Sequence, residues 1–198
     1  MQKIQTQGLH HITFVGADRQ TSIDFWQGVL GMPFVFEQPN LDAPDQNHLY
    51  FDPGDGRLIT VFTSESWLKD SSPNPTNTGN VHHIAFTVSR ATYTQTVDRL
   101  KARHIPNSGE IDRGFMYSIY FREPLGQLLE LACYKFEPPT GVTHADVLRT
   151  AHNIRVAAGA YNIADEHLAE AIEQLSRKPD PDLTKDKPAQ SRQAATTE

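Results

Sequence analysis

The spacing of hydrophobic and polar positions changes several times along the chain. Residues 9–15 are dominated by β-branched and aromatic side chains, which predicts a buried strand. A polar break at 17–20 follows. Apolar residues at Ile23, Phe25, Trp26, Val29 and Leu30 then predict a helix over 21–30, closed at Gly31, where a positive φ carries no steric cost. A short strand is expected over 34–37 and a loop with two prolines over 39–45. Residues 48–52 alternate polar and apolar, which suits a strand with two unlike faces. Pro53-Gly54-Asp55-Gly56 is a turn, and 58–62 is another strand. Residues 71–80, rich in Ser, Pro, Asn and Gly, read as a linker.

The same order then recurs. A strand is expected over 83–88, a helix over 91–103 with Tyr93, Val97 and Leu100 on one stripe, a weak strand over 109–112, and strands over 116–121 and 128–134 around a turn at 123–126. His10-His11 opens the first run and His82-His83 the corresponding run 72 residues later. Gly56-Arg57-Leu58-Ile59-Thr60 lines up with Gly126-Gln127-Leu128-Leu129-Glu130 at an offset of 70. The chain therefore carries an internal repeat of two strand–helix–three-strand modules, about 8–66 and 80–136. One module alone would leave a sheet face and two edges uncovered, so the two are expected to share a barrel-like cleft within a domain over 1–137. Past Pro138-Pro139 a helical extension over 138–177 is expected: one helix capped by Thr143, with Val147, Leu148, Ala151, Ile154 and Ala158 as its stripe, and a second over 163–176 that Asn162 can cap. The composition of 178–198 predicts a disordered tail.

Composition narrows the function classes. A net charge of −6 argues against nucleic acid or an anionic membrane as partner. The single cysteine, Cys133, rules out an intrachain disulfide framework and fits a reducing compartment. With no long apolar run and no apolar core near the N-terminus, a cytoplasmic protein is expected. Nine histidines turn attention to metal or proton chemistry.

His11 and His83 hold matching places in the two modules, and Glu130 sits between Leu129 and Leu131 on the last strand of the second. An ionised glutamate in an apolar run is costly unless it is paired or bound to a metal. Two imidazoles and one carboxylate on one side of a metal leave other positions open, an arrangement suited to ferrous iron that must meet both substrate and dioxygen. The first module has Thr60 where the second has Glu130, so a fourth protein ligand is missing. The competing interpretation is that the paired histidines are surface residues at strand ends and that Glu130 faces solvent.

The two modules, the Phe25-Trp26-Gln27-Gly28-Val29-Leu30-Gly31-Met32 run and the 121–131 segment resemble the vicinal oxygen chelate superfamily over residues 8 to about 136. That resemblance implies an α+β fold of two tandem βαβββ modules forming a half-open, barrel-like sheet around a metal site. Thr60 departs from glyoxalase I, which usually carries a fourth ligand there. Within the superfamily the sequence most resembles the ring-cleaving dioxygenases acting on hydroquinones. The match falls on His11, His83 and Glu130 as ligands, on Tyr120 ten residues before the glutamate, on Arg113 seven before that tyrosine, on His10 and His82 beside the ligands, and on Thr13. It implies Fe(II), or Mn(II), as cofactor, a small catechol- or hydroquinone-like aromatic and O2 as substrates, and a homodimer. Tyr120 would hydrogen-bond the metal-bound phenolate and Arg113 would fix a second substrate oxygen. His10 and His82 would move a proton or hold the ligand rings. Adjacent strand residues point to opposite faces, which keeps both from being direct ligands. The offset of 70 sets Tyr50 opposite Tyr120, and His48 shares the face of Tyr50, making His48 an acid/base candidate and Tyr50 a substrate contact. Other expectations on the same scaffold are a glyoxalase-like lyase, a fosfomycin-type thiol transferase, or a metal-free drug-binding protein. Hydroquinone enzymes of this type commonly have four modules, whereas two must build the site here.

Overall fold

A computed structural model of the chain describes residues 3–177; the disordered tail expected over 178–198 lies outside them. The described chain divides into two compact units. The first comprises residues 3–111 and 117–133, and the second comprises 112–116 and 134–177.

In the first module, β1 (His11–Val15) leads to α1 (Arg19–Trp26), β2 (Phe34–Asn40), β3 (Ala43–Phe51) and β4 (Leu58–Thr63). The second runs β5 (Ile84–Thr87), α2 (Arg90–Ala102), β6 (Ile111–Asp112), β7 (Met116–Arg122) and β8 (Leu128–Tyr134). Each module is therefore strand, helix and three strands, the expected α+β order. The sheets are ordered β1-β4-β3-β2 and β5-β8-β7-β6, and both keep open edges rather than closing into a barrel. In each sheet the first strand of the module lies parallel to the last.

Alternation along the strands divides apolar from polar residues. Leu49, Phe51, Ile59 and Val61 are buried, as are Ile119, Phe121, Leu129 and Leu131, and Ile12, Phe14, Ile84 and Phe86 pack on the same core. Phe25 and Trp26 of α1 tie the modules together: the Phe25 ring lies 6.5 Å from Phe121 and the Trp26 ring 6.3 Å from Phe86. Burying each such ring contributes about 1.5–3 kcal/mol.

The first helix starts earlier than its apolar stripe suggests because Asp18 caps it. The Asp18 carboxylate accepts from the Thr21 amide at 2.9 Å and from the Thr21 hydroxyl at 2.7 Å. These bonds, led by the hydroxyl, lower the Asp18 pKa to about 2. A depressed carboxylate stabilises the fold above its unfolded pKa, and that stability is lost as pH falls through the folded value. Asp18→Ala is expected to lower unfolding free energy by about 1 kcal/mol. The loss should be present at neutral pH and shrink between about pH 4 and pH 2, measured by denaturant titration across that window.

Two local expectations are corrected. The loop expected over 39–45 is mostly strand: β2 runs through Pro39 to Asn40, and β3 starts at Ala43. Pro39 is tolerated because β2 is an edge strand, which has a ladder on one side alone. The pairing register shifts between Pro39 and Asn40. The fourth helix is capped by Ala164, not Asn162, and the capping contact comes from within the helix, where His167 Nδ1 accepts from the Ala164 amide at 2.9 Å.

The second unit contains α3 (His144–Ala157) and α4 (Asp165–Ser176) around Phe136, Val147, Ala151, Leu168 and Ala171. Thr143 and Asp146 form a reciprocal capping box at the start of α3. Lys135 reaches Asp165 at 2.8 Å and Asp112 at 3.2 Å, and these carboxylates hold its ammonium above the ordinary lysine pKa. Among the described residues no helix is long and apolar enough to cross a membrane.

Candidate metal centre

On the second sheet, Ala85 of β5 stands in register with Glu130 of β8. His83 lies just ahead of β5, two residues before Ala85. Its Nε2 lies 2.9 Å from Glu130 Oε2. Glu130 is 2% exposed, so its carboxylate is satisfied by neighbours rather than by bulk water. Its other oxygen, Oε1, accepts from the hydroxyl of the fully buried Ser118 on β7 at 2.5 Å. The ring of Tyr120 stands edge-on to His83, with centroids 5.5 Å apart. His83, Glu130, Ser118 and Tyr120 thus form one cluster on the second sheet.

The first sheet repeats this layout with different chemistry. Thr13 and Thr60 are in register, as Ala85 and Glu130 are, and Thr60 donates to Thr13 Oγ1 at 2.8 Å. The position that holds a carboxylate in one module thus holds a buried hydroxyl in the other. On the same face Tyr50 lies opposite Thr60, and its hydroxyl is 2.8 Å from His48 Nδ1. Phe36 stacks on Tyr50 with centroids 4.1 Å apart, and His48 packs against Phe62 at 4.3 Å. Among the described residues, His48 Nε2 is buried without a hydrogen-bond partner. Burial first, and the nearby His11 second, push the His48 pKa below the ordinary imidazole value. At neutral pH it is therefore uncharged, able to give or take a proton at Nε2.

Each ligand candidate is held by the histidine before it. The Nδ1 atoms of His10 and His11 are 2.8 Å apart, and so are those of His82 and His83. One ring of each pair must donate and the other accept. If Nε2 of His83 gives its lone pair to a metal, its proton is on Nδ1 and His82 is the acceptor. Strand alternation does not separate these pairs, because His10 precedes β1, which begins at His11, and both His82 and His83 precede β5.

A divalent metal fits the second-sheet cluster. Two ligands at right angles, each about 2.1 Å from an ion, stand about 3.0 Å apart. The Nε2–Oε2 spacing of 2.9 Å matches that separation. Among the described residues of one chain, however, no three His, Cys, Asp or Glu side chains are close enough to hold a metal ion. His83 and Glu130 are together, whereas His11 lies on the first sheet with His48. Arg113 is exposed and belongs to the second unit, where its amide donates to Met116 O at 2.8 Å. Ser118 is the residue that sequence reasoning missed. It shares a strand face with Tyr120 and neighbours Glu130 across the β7–β8 hairpin, and that alternation was the available signal.

Comparison with known proteins agrees with this architecture. Residues 8–131 match the Glyoxalase/Bleomycin resistance protein/Dioxygenase superfamily. The chain is 30% identical over 127 residues to the Bacillus subtilis protein named "Putative ring-cleaving dioxygenase MhqO", covering 64% of this chain and 40% of that one. The chain thus spans well under half the length of that curated relative. A Bacillus subtilis structure described as a "putative dioxygenase" superposes with a TM-score of 0.52 at 28% identity, over 65% of this chain and 41% of that one. A Frankia glyoxalase/bleomycin resistance protein/dioxygenase domain superposes with a TM-score of 0.57 at 14% identity, over 66% of this chain and all of that one, a likeness of fold. With the matched segment covering both modules, the chain belongs to the Glyoxalase/Bleomycin resistance protein/Dioxygenase superfamily.

Proposed function

We propose that this protein is a metal-dependent ring-cleaving dioxygenase acting on a catechol- or hydroquinone-like aromatic. The observation that carries the reading is the buried Glu130 carboxylate with Oε2 set 2.9 Å from His83 Nε2. The relatives named as ring-cleaving dioxygenases support the same direction. His83, Glu130 and His11 are the proposed ligands of Fe(II), for which Mn(II) is the substitute. Because His11 stands apart from the other two in one chain, the third ligand is assigned to a second copy of the chain. The bare face of β1 supports this: His11 and Thr13 are exposed and Val15 is 72% exposed, while Ile12 and Phe14 face the core.

Ferrous iron in such a site supplies the electron-transfer chemistry that lets dioxygen attack an electron-rich ring. The protein supplies orientation and proton control. Tyr120, edge-on to His83, is assigned to the phenolic oxygen of the substrate. His10 and His82 keep the ligand imidazoles in one tautomer. His48, neutral and linked to Tyr50, is assigned to hold or move a proton at Nε2, and Thr13 and Tyr50 belong to the same wall.

The test is oxygen uptake by protein loaded with Fe(II) under anaerobic conditions, then offered a panel of catechols and hydroquinones. Oxygen consumption matched one-to-one by ring-opened product is expected. Full iron loading with no uptake on any diphenol would overturn the proposal.

A further inference from the structure

Glu130 has two oxygens, and the structure treats them differently. Oε2 faces His83 Nε2, whereas Oε1 accepts from Ser118 at 2.5 Å. Ser118 is itself fixed. It has no exposed surface, and its backbone carbonyl accepts from the Tyr93 hydroxyl at 3.1 Å. Tyr93 is fully buried in α2, whose preceding Ser89 caps the helix. Arg90, one turn before Tyr93, lies 4.1 Å over the Tyr117 ring, beside Ser118 in the chain. The backbone at Ser118 is therefore anchored to α2, and from that fixed position its buried hydroxyl donates to Glu130 Oε1.

From this geometry we infer that Ser118 is a positioning residue that holds Glu130 as a one-oxygen ligand. A carboxylate can bind a divalent ion through one oxygen or two. A donor held on Oε1 occupies one of that oxygen's lone pairs and fixes the plane of the carboxylate, so Oε2 is the oxygen presented toward His83. The consequence is an open coordination position that a two-oxygen glutamate would fill. The first module lacks this device. At the position corresponding to Ser118 it has His48, and its Thr60 bonds Thr13 instead of facing a ligand. The carboxylate and the residue that orients it thus occur together in the same module and are absent together from the other.

The inference rests on Glu130 being a ligand, so its test includes Glu130→Ala as a separate arm. Fe(II) or Mn(II) affinity is measured by chelator competition on the full-length protein, and the coordination of Mn(II) by electron paramagnetic resonance. Ser118→Ala is expected to weaken metal binding by about 10–100-fold, as the loss of an outer contact to a ligand does. It should also change the Mn(II) spectrum, as the freed oxygen joins the ion. Ser118→Thr, which keeps the hydroxyl, should recover most of the affinity and the original spectrum. Thermal melting of metal-free protein checks folding, and Ser118→Cys, close in size with a weak donor, takes the place of Ser118→Ala if that variant fails to fold. Wild-type affinity and an unchanged spectrum in the variant lacking the hydroxyl, with Glu130→Ala metal-free, overturn the role of Ser118 alone. Metal retained at wild-type affinity by Glu130→Ala overturns the ligand reading beneath it.

Discussion

Glu130→Ala protein is expected to bind Fe(II) or Mn(II) more than about 100-fold more weakly than wild type, a greater loss than outer-shell changes produce. Metal content after desalting is the measurement. The expectation follows from burial and chemistry together. Glu130 is 2% exposed, and its oxygens meet one imidazole and one hydroxyl. A purely structural pair makes a different prediction. If Glu130 serves only to bond His83 and Ser118, its removal leaves the Ser118 hydroxyl unpartnered in the interior. The cost is then on the order of 1–3 kcal/mol in folding stability, with metal content unchanged. The two readings separate when metal content and unfolding free energy are measured on the same sample. His83→Ala is the second arm: it should cost most of the metal, and because it also leaves the buried Glu130 Oε2 without its imidazole it should lower stability too, so metal content is the readout that separates the readings.

Much of this arrangement was legible in the sequence because a repeat is a strong constraint. The two His-His openings and the Gly56 and Gly126 turns fixed the module length, and the hydrophobic periods fixed the element order. Glu130 was suspect because a charge inside an apolar run must have a reason. Other features depended on interactions that spacing does not encode. The start of α1 is decided by hydrogen bonds from Thr21 to Asp18, and the cap of α4 by His167, a residue inside the helix. Pro39 suggested a loop because a proline cannot serve a central strand, yet β2 is at the edge. The pairing of His10 with His11 escaped the alternation rule because the regular strand begins only at His11. Ser118 escaped because serine is common on strands and draws attention only through the neighbour it touches. The separation of His11 from His83 could not be read from the repeat, which sets the equivalence of positions but not which copies of the modules face each other.

Mixing His11→Ala protein with Glu130→Ala protein is expected to restore metal binding that neither variant has alone. If each site takes His11 from one chain and His83 with Glu130 from another, a two-fold dimer holds two equivalent sites. In a mixed dimer one site receives both substitutions and the other receives neither. With random exchange half the dimers are mixed, so roughly a quarter of wild-type metal content should return. Restoration should require conditions that allow subunits to exchange, such as mild denaturant followed by dilution. If a site were built within one chain, every site in the mixture would carry one substitution and metal content would stay at the level of the single variants. The exposed His11, Thr13 and Val15 face of β1 supplies the reason to expect a partner there, since Val15 is 72% exposed beside a candidate ligand. Covering that face would remove apolar surface from water and bring His11 toward the incomplete His83–Glu130 pair in one step. Charge substitution at Val15 gives an independent check: Val15→Asp should shift the chain toward monomer in sedimentation and lower metal affinity together, although Val15 is not a ligand. Loss of the dimer with wild-type metal affinity would show that one chain holds the ion unaided.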